Sequence, residues 1–293
     1  MTSCFNAEAH LETTLRSVLD QGYLRLEYIV IDGASTDGTL DILRRYESQL
    51  AVIESAPDRG QYHGIQKGMN LATGDVMAWL NGDDTYYPWT LSVVSEVFAR
   101  FPDIDWIVGT PSYMNTRGQC TRVSGVAASA YPQTDIRNGW YRPDLSGYLQ
   151  QESMFWRRHL WDRVGGLNLA LNYAADFDLW RRFAEYAPLV SIATPLALFR
   201  QRPGQQRSST GALQYNAEVD LICRNLRQAP WLWRTIAAKS EVMRHLFRMA
   251  RFRREPAIAY SGSKQSWELT NNWRTVARTT LADTLLEHSL RKK

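Results

Sequence analysis

Asp83 and Asp84 end the segment Val76–Asp84, VMAWLNGDD, and are the residues of this chain most suited to chemistry. An apolar run long enough for a strand stops at Asn81-Gly82. Gly82 permits a tight turn, so the two carboxylates emerge together at the carboxyl end of that strand. In open α/β sheets that edge is where ligands bind. Adjacent carboxylates repel each other unless a cation relieves them. A hard divalent ion shared with a substrate diphosphate would do so. For the pair alone, an acidic loop or the cap of a helix starting near Pro88 is an equally physical reading.

The elements that must position this pair are legible as a strand–helix alternation. Asn6 reads as a helix N-cap, with Leu11, Leu15, Val18 and Leu19 at helical spacing behind it. Glu27–Ile31 is a strand, Asp37–Tyr46 a helix and Leu50–Ile53 a short strand. A loop over Ala56–Gln61 leads into a helix to about Ala72. Val76–Leu80 is a strand, Trp89–Phe101 a helix, and Asp105–Gly109 another strand. This predicts an α/β fold with a mostly parallel sheet flanked by helices. Pro111–Leu149 reads as irregular loops with a hairpin. Glu152–Trp156 is a strand, Ala174–Tyr186 a helix and Leu189–Arg200 extended. Beyond Ala212 the pattern is helical, rich in Arg and Trp, with a polar end.

The composition bounds the function without naming it. A hydrophobic content of 44% over 293 residues is enough for one large α/β domain with an appendage. The net charge of +4 suits an anionic ligand or membrane surface and does not call for nucleic acid. Cys4, Cys120 and Cys223 form neither a disulfide framework nor a zinc spacing, which fits a reducing compartment. Met1–Asn6 has no basic or apolar signal character, and no stretch is long enough to span a bilayer. The expected location is cytoplasmic, with a peripheral position on the inner face of the cytoplasmic membrane as the variant. Most of the eleven Trp are expected in the core.

Four segments share one explanation: Asp32-Gly-Ala-Ser-Thr-Asp-Gly-Thr39, Pro57-Asp-Arg-Gly-Gln-Tyr62, Asn81-Gly-Asp-Asp84 and Tyr173-Ala-Ala-Asp-Phe-Asp178. The first three each follow a strand and so share one sheet edge. In this order and spacing they resemble the family 2 glycosyltransferases, over roughly Thr2 to Ser209. The resemblance implies a GT-A (Rossmann-like) fold and a nucleotide-sugar donor, a UDP-, GDP- or dTDP-sugar. It implies inverting transfer to a hydroxyl of a saccharide or lipid-linked acceptor, in cell-surface polysaccharide or glycolipid synthesis. The domain would span residues 1–210, with a nucleotide-binding part to about 110 and an acceptor part over 111–210. Residues 211–293 would be a helical extension.

The resemblance also assigns roles. Asp32 would face the nucleobase or ribose, or with Ser35 only cap the next helix. Ser3 and Phe5 would flank the base. Asp83 and Asp84 would hold Mn2+ or Mg2+ against the donor diphosphate. Asp58 and Arg59 lie in the loop between, where Arg59 meets a phosphate or a solvated partner, and Lys67, one turn into the next helix, would reach the same phosphate charge or stand as a surface lysine. Asp176 would be the general base, with Asp178 its rival; two residues on, Asp178 points to another helix face. Gln150–Ser153 would line the acceptor site.

The chain departs from the family pattern in four places. Gly33 stands where many members have a second acid, and Ala175 where many have Glu. Arg202, just before Pro203-Gly204, replaces a common histidine; it cannot ligate a metal but can bind phosphate. Only Met1–Phe5 precedes Asn6, so the first strand is a stub or absent. These departures motivate a second class of function, a non-catalytic GT-A-fold protein that binds a nucleotide sugar or a partner. Asp83, Asp84 and Asp176 together favour the enzyme.

Between Arg234 and Arg254 seven basic residues face a single acid, Glu241, and interleave with Leu246, Phe247, Met249, Ala250 and Phe252. That composition suits either an interfacial helix on an anionic membrane or a helix packed on the domain with solvated arginines. Co-sedimentation with vesicles separates the two. The membrane reading expects binding that needs anionic lipid, weakens with salt, and drops when Arg248, Arg251, Arg253 and Arg254 are changed to Glu. Equal recovery in the supernatant with neutral and anionic vesicles at low salt refutes it.

Overall fold

The computed structural model describes residues 1–123, 131–142, 144–202, 211–239 and 257–270. The elements run β1 (Thr2–Cys4), α1 (Leu11–Leu19), β2 (Ile29–Asp32), α2 (Thr39–Tyr46), β3 (Val52–Ser55) and α3 (Gln61–Leu71). They continue with β4 (Val76–Met77), β5 (Leu80–Asn81), β6 (Thr85–Tyr86), α4 (Thr90–Arg100), β7 (Trp106–Val108), β8 (Ser112–Met114) and β9 (Cys120–Val123). Then follow α5 (Gln133–Arg137), β10 (Met154–Arg157), α6 (Arg158–Val164), α7 (Ala175–Tyr186), β11 (Val190–Ile192) and β12 (Ala197–Arg200). The last described elements are α8 (Gly211–Cys223), α9 (Trp231–Lys239), β13 (Ala257–Ser261) and β14 (Ser266–Thr270).

Three sheets result. The first, in the order β3-β2-β1-β5, is wholly parallel, so its four carboxyl ends share one edge. The second is mixed, β14-β13-β11-β7-β10-β4, and the third is β6-β12-β8-β9. The stub strand is present: Thr2–Cys4 is buried and pairs on both sides, with Val30–Asp32 and with Leu80 and Asn81. The strand expected over Val76–Leu80 is two strands in two sheets. Met77 pairs with Trp156 in the mixed sheet, Leu80 with Thr2 in the parallel one. Between them Trp79 turns inward, 1% exposed, into a cluster with Trp156 and Trp180. Trp106, Trp161 and Phe183 extend that cluster.

Several boundaries differ from the sequence reading. Asn6 is not the N-cap of α1. A turn from Ala7 to Leu11 intervenes, and Asn6 takes a left-handed φ of 46°. Its side-chain oxygen instead accepts the Thr36 N–H at 2.9 Å, tying the loops after β1 and β2 together. The hairpin expected within Pro111–Leu149 is β8–β9, while α5 and α6 were not foreseen. The region after residue 211 is not wholly helical. β13 and β14 form a hairpin, and β13 joins the mixed sheet through β11, with Ile258 and Trp267 buried. The chain beyond residue 210 therefore returns to the sheet of the preceding part. The signal was present: Ser261-Gly262-Ser263-Lys264 lies between two β-prone runs. The basic segment over 240–256, the residues at Pro203-Gly204 and the polar end lie outside the described residues.

Glu27 anchors the approach to β4. Its carboxylate accepts the Thr73 N–H at 2.6 Å, the Thr73 hydroxyl at 2.8 Å and the Gly74 N–H at 3.1 Å. Partial burial opposes ionisation, but these donors and Arg158 hold the carboxyl below its ordinary range. A depressed folded-state value contributes stability above the unfolded-state pKa of 4.5 and loses it as pH falls through the folded value. Glu27→Gln is expected to cost about 1 kcal/mol at pH 7 and to flatten the loss of stability below that range, as measured by urea denaturation at stepped pH.

Candidate active site

The carboxyl ends of the parallel sheet open onto a cavity of about 670 Å³. β1 delivers Ser3 and Phe5 to its wall, β2 delivers Gly33, the loop after β3 delivers Asp58, and the turn after β5 delivers Asp83. The same cavity is lined by Gln151 and Glu152 from the turn before β10, Asp176 from the first turn of α7, and Tyr215 from α8. Trp79 also contributes to the lining.

The acidic turn is held from several sides. Asp84 is wholly buried, is not part of the cavity lining, and accepts the Arg200 N–H at 2.8 Å and the Asn81 amide at 3.1 Å. Burial, then Glu152 and Asp83, push its carboxyl well above the usual range; the Arg200 and Asn81 donors oppose that. The Arg200 side chain, 2% exposed, donates to the Asp83 carbonyl at 2.7 Å and to the carbonyls of Asn115 and Thr116. Thr14 donates to the Asp84 carbonyl at 2.8 Å. Asp83 is left on the wall, where its Oδ2 meets Arg202 Nε at 2.7 Å. His10 also lines the cavity; burial and then Arg200 hold its imidazole below its ordinary pKa, against the pull of Asp83.

Asp176 is 4% exposed, and its Oδ1 accepts the Phe177 N–H at 2.9 Å. The Tyr62 hydroxyl lies 3.0 Å from the same oxygen and 3.0 Å from the Tyr173 carbonyl. Asp178 points elsewhere, as helix geometry requires. It is bound to Arg182 at 2.7 Å, and Arg182 also donates to the carbonyls of Val164 and Gly166. Gln151 bridges the two halves, donating to the Trp79 carbonyl at 2.6 Å and accepting from Asn81 at 3.3 Å.

Of the residues singled out in the sequence, the structure gathers Ser3, Phe5, Asp58, Asp83, Arg202 and Asp176 around one cavity. Four are placed otherwise: Asp84, buried behind the wall as described, and Asp32, Lys67 and Arg59. Asp32 is fully buried, and its carboxylate accepts the Ser35 N–H at 2.9 Å, the Ser55 hydroxyl at 2.6 Å and the Ser35 hydroxyl. The residue therefore braces the β2 turn from within. Lys67 pairs with Glu54 at 2.6 Å on the outer face of α3 and β3. Arg59 is exposed in its loop, while Asp58 and Gly60 on either side line the cavity. Sequence reasoning missed Arg200, His10, Tyr62 and Tyr215. Arg200 closes the extended run from Leu189, and Tyr62 ends a motif already singled out. Tyr215 carried no local signal.

Among the described residues, no three His, Cys, Asp or Glu side chains are grouped to hold an ion. One cavity carboxylate, Asp83, still fits a hard divalent cation that takes its other oxygens from a diphosphate and water.

The sequence model of the family described as glycosyl transferase family 2 matches residues 1–164. A putative teichuronic acid biosynthesis glycosyltransferase, TuaG of Bacillus subtilis (strain 168), is 36% identical over 89 residues, covering 29% of this chain and 35% of that protein. A PGL/p-HBAD biosynthesis glycosyltransferase of Mycobacterium bovis is 28% identical over 177 residues, covering 59% of this chain and 64% of that protein. The chain thus spans less than two thirds of the length of either relative. Among solved structures, TarS 1–349 of S. aureus in complex with UDP-GlcNAc aligns with a TM-score of 0.60 at 16% identity, over 84% of this chain and 71% of that one. Mannosyltransferase PcManGT of Pyrobaculum calidifontis, in complex with GDP-Man and Mn2+, aligns at 0.55 and 19%, over 85% and 70%. At these identities the likeness is one of fold, and the fold is GT-A. With more than half its length matched by the family, this chain belongs to glycosyl transferase family 2.

Proposed function

We propose that the chain is an inverting glycosyltransferase that moves a sugar from a nucleoside-diphosphate donor to a hydroxyl of a saccharide or lipid-linked acceptor. The observation that carries this reading is that Asp83, Arg202 and Asp176 line a single cavity. Donors of this class occupy both solved neighbours, UDP-GlcNAc in one and GDP-Man with Mn2+ in the other. The named pathways of the curated relatives, teichuronic acid and PGL/p-HBAD biosynthesis, support a role in cell-surface polysaccharide or glycolipid synthesis. No helix among the described residues is long and apolar enough to cross a membrane. A cytoplasmic site of action, at the membrane where a lipid-linked acceptor requires it, is part of the proposal.

Each residue then has a task. Phe5 and Ser3 receive the nucleoside. Arg202 leaves its ion pair with Asp83 or shares it, and its guanidinium offers a planar pair of donors to a phosphate. Mn2+ or Mg2+, held by Asp83 and the donor diphosphate, would offset charge on the departing nucleoside diphosphate. Asp84 and Arg200 keep the Asp83 turn rigid beneath. Asp176 accepts the proton of the acceptor hydroxyl as that oxygen bonds to the anomeric carbon. The bond from that carbon to the diphosphate oxygen breaks on the opposite face, so configuration inverts. Tyr62 aims the Asp176 carboxylate.

Asp176→Asn keeps size and hydrogen bonding but removes basicity. It is expected to lower kcat about 100-fold or more with donor affinity nearly kept, read from product formation and calorimetric titration with the nucleoside diphosphate. Tyr62→Phe, which removes only the aiming hydroxyl, is expected to fall between wild type and that variant. A near-normal kcat in Asp176→Asn refutes the assignment.

A further inference from the structure

Helix α7 carries Asp176 in its first turn, yet the residue at its N-cap position, Ala174, has no side chain able to accept a backbone N–H. The acceptor comes from another helix. Glu218 of α8 takes three successive N–H groups on one carboxylate: Asn172 at 2.8 Å on Oε1, and Tyr173 at 2.9 Å and Ala174 at 2.8 Å on Oε2. These partners lie 46, 45 and 44 residues away in the chain. Consecutive N–H groups turn to one side where the backbone curls round an anion, so this carboxylate sets the path of the chain into α7. Its charge also sits at the positive end of the helix dipole.

The peptide groups held in this way lead directly to Asp176. The Tyr62 hydroxyl lies 3.0 Å from the Tyr173 carbonyl oxygen and 3.0 Å from Asp176 Oδ1. Tyr173 is therefore gripped through its backbone on both sides, by Glu218 at its N–H and by Tyr62 at its carbonyl. Ala174 and Ala175, which link this grip to Asp176, are both 0% exposed. Helix α8 is itself seated firmly. Tyr215, Val219 and Cys223 recur at i, i+4 spacing and pack with Ala174 and Phe177 in one buried cluster. Tyr215 lines the cavity, whereas Glu218 does not. Helix α8 lies beyond residue 164, where the match to the family's sequence model ends.

We infer that Glu218 is a positioning residue for the transfer reaction: it holds the entry to α7 and, through that backbone, the carboxylate of Asp176. This inference rests on the reading of Asp176 as the base. Glu218 touches no reacting atom. Without it, three N–H groups lose their acceptor together, the segment over 172–174 relaxes, and Asp176 moves relative to the hydroxyl whose proton it takes. A misplacement of about 1 Å can cost on the order of 100-fold in rate. Asp83 and Arg202 belong to a different turn that Glu218 does not contact, so donor binding is spared. Helix α8 is then part of the machinery around Asp176 rather than an appendage to the domain.

The test follows release of nucleoside diphosphate from a panel of UDP-, GDP- and dTDP-sugars by the full chain with Mn2+, water serving as the acceptor. Glu218→Ala is expected to lower kcat about 10-fold or more, with donor KM and calorimetric affinity for the nucleoside diphosphate kept within about 2-fold. Glu218→Gln keeps an oxygen for the Tyr173 and Ala174 N–H groups but turns an amino group toward the Asn172 N–H, and is expected to recover most of that loss. Because Glu218 acts through Asp176, adding Glu218→Ala to Asp176→Asn is expected to cost less than about 2-fold further. Should Glu218→Ala fail to fold, Glu218→Asp, which keeps the charge but loses the reach, takes its place in both measurements with the same directions expected. A lowered melting temperature with unchanged kcat, a loss carried by donor KM, no recovery in Glu218→Gln, or a full-sized further loss in the Asp176→Asn background overturns the inference and leaves the base assignment standing. A near-normal kcat in Asp176→Asn overturns that assignment, and release from none of the donors by the wild-type chain overturns the donor reading; the inference falls with either.

Discussion

The buried contact between Asp84 and the backbone of Arg200 is the constraint on which the cavity depends. A carboxylate removed from water is costly, on the order of several kcal/mol before compensation. Here the compensation is structural. Asp84 accepts from β12 and from Asn81, and the Arg200 side chain returns to grip the carbonyl of Asp83. The same Arg200 side chain reaches the carbonyls of Asn115 and Thr116, at the tip of the β8–β9 hairpin. One buried acid and one buried arginine thus join the parallel sheet to the third sheet. They leave Asp83 facing the cavity on a turn braced from beneath, which is the condition for a carboxylate to meet a charged ligand without first reorganising.

The opposite wall is positioned by ring packing. Trp79 occupies the junction where one stretch of chain passes from the mixed sheet to the parallel one. It stacks on Trp180 with centroids 5.4 Å apart and planes 11° apart. Trp180 lies one helical turn beyond Asp176 on the same face of α7. The stack therefore fixes the distance between the strand that carries Asp83 and the helix that carries Asp176. Trp156 meets both rings edge-on, and Trp106 and Phe183 close the cluster from the side. Close-packed aromatic rings deform little, so the two halves of the cavity behave as one frame.

The loops after β1 and β2 are cross-linked in a different way. Asn6, Ala7 and Glu8 bond through their backbone N–H groups to Ser35, Thr39 and Asp37, and Glu8 returns a carboxylate to Gly38 N–H. A three-residue β1 would be a weak anchor for Phe5 if only its ladder held it. The side-chain bonds to the β2–α2 loop supply the rest, which explains how so short a central strand supports an exposed ring at the cavity edge.

What the sequence determined by itself was the set of local features: the strand–helix alternation, the tight turn at Gly82, the loop over Ala56–Gln61, and three motifs that each follow a strand and so share one sheet edge. These depend on spacing and on residue type, which neighbouring residues reveal. It also separated Asp176 from Asp178, because a two-residue step on a helix changes face whatever the surroundings. Tertiary structure decided which of these side chains reach the cavity. Asp32 and Asp84 look like ligand-facing acids in sequence and are buried braces, because Ser55 and the Arg200 backbone approach them from elements 23 and 116 residues away. Lys67 turned outward to Glu54. Tyr62 joined Asp176 across 114 residues, and β13 joined β11 from beyond the expected end of the domain. Local pattern shows where a carboxylate can emerge; whether it meets solvent or another element depends on contacts between distant parts of the chain, which no local spacing encodes.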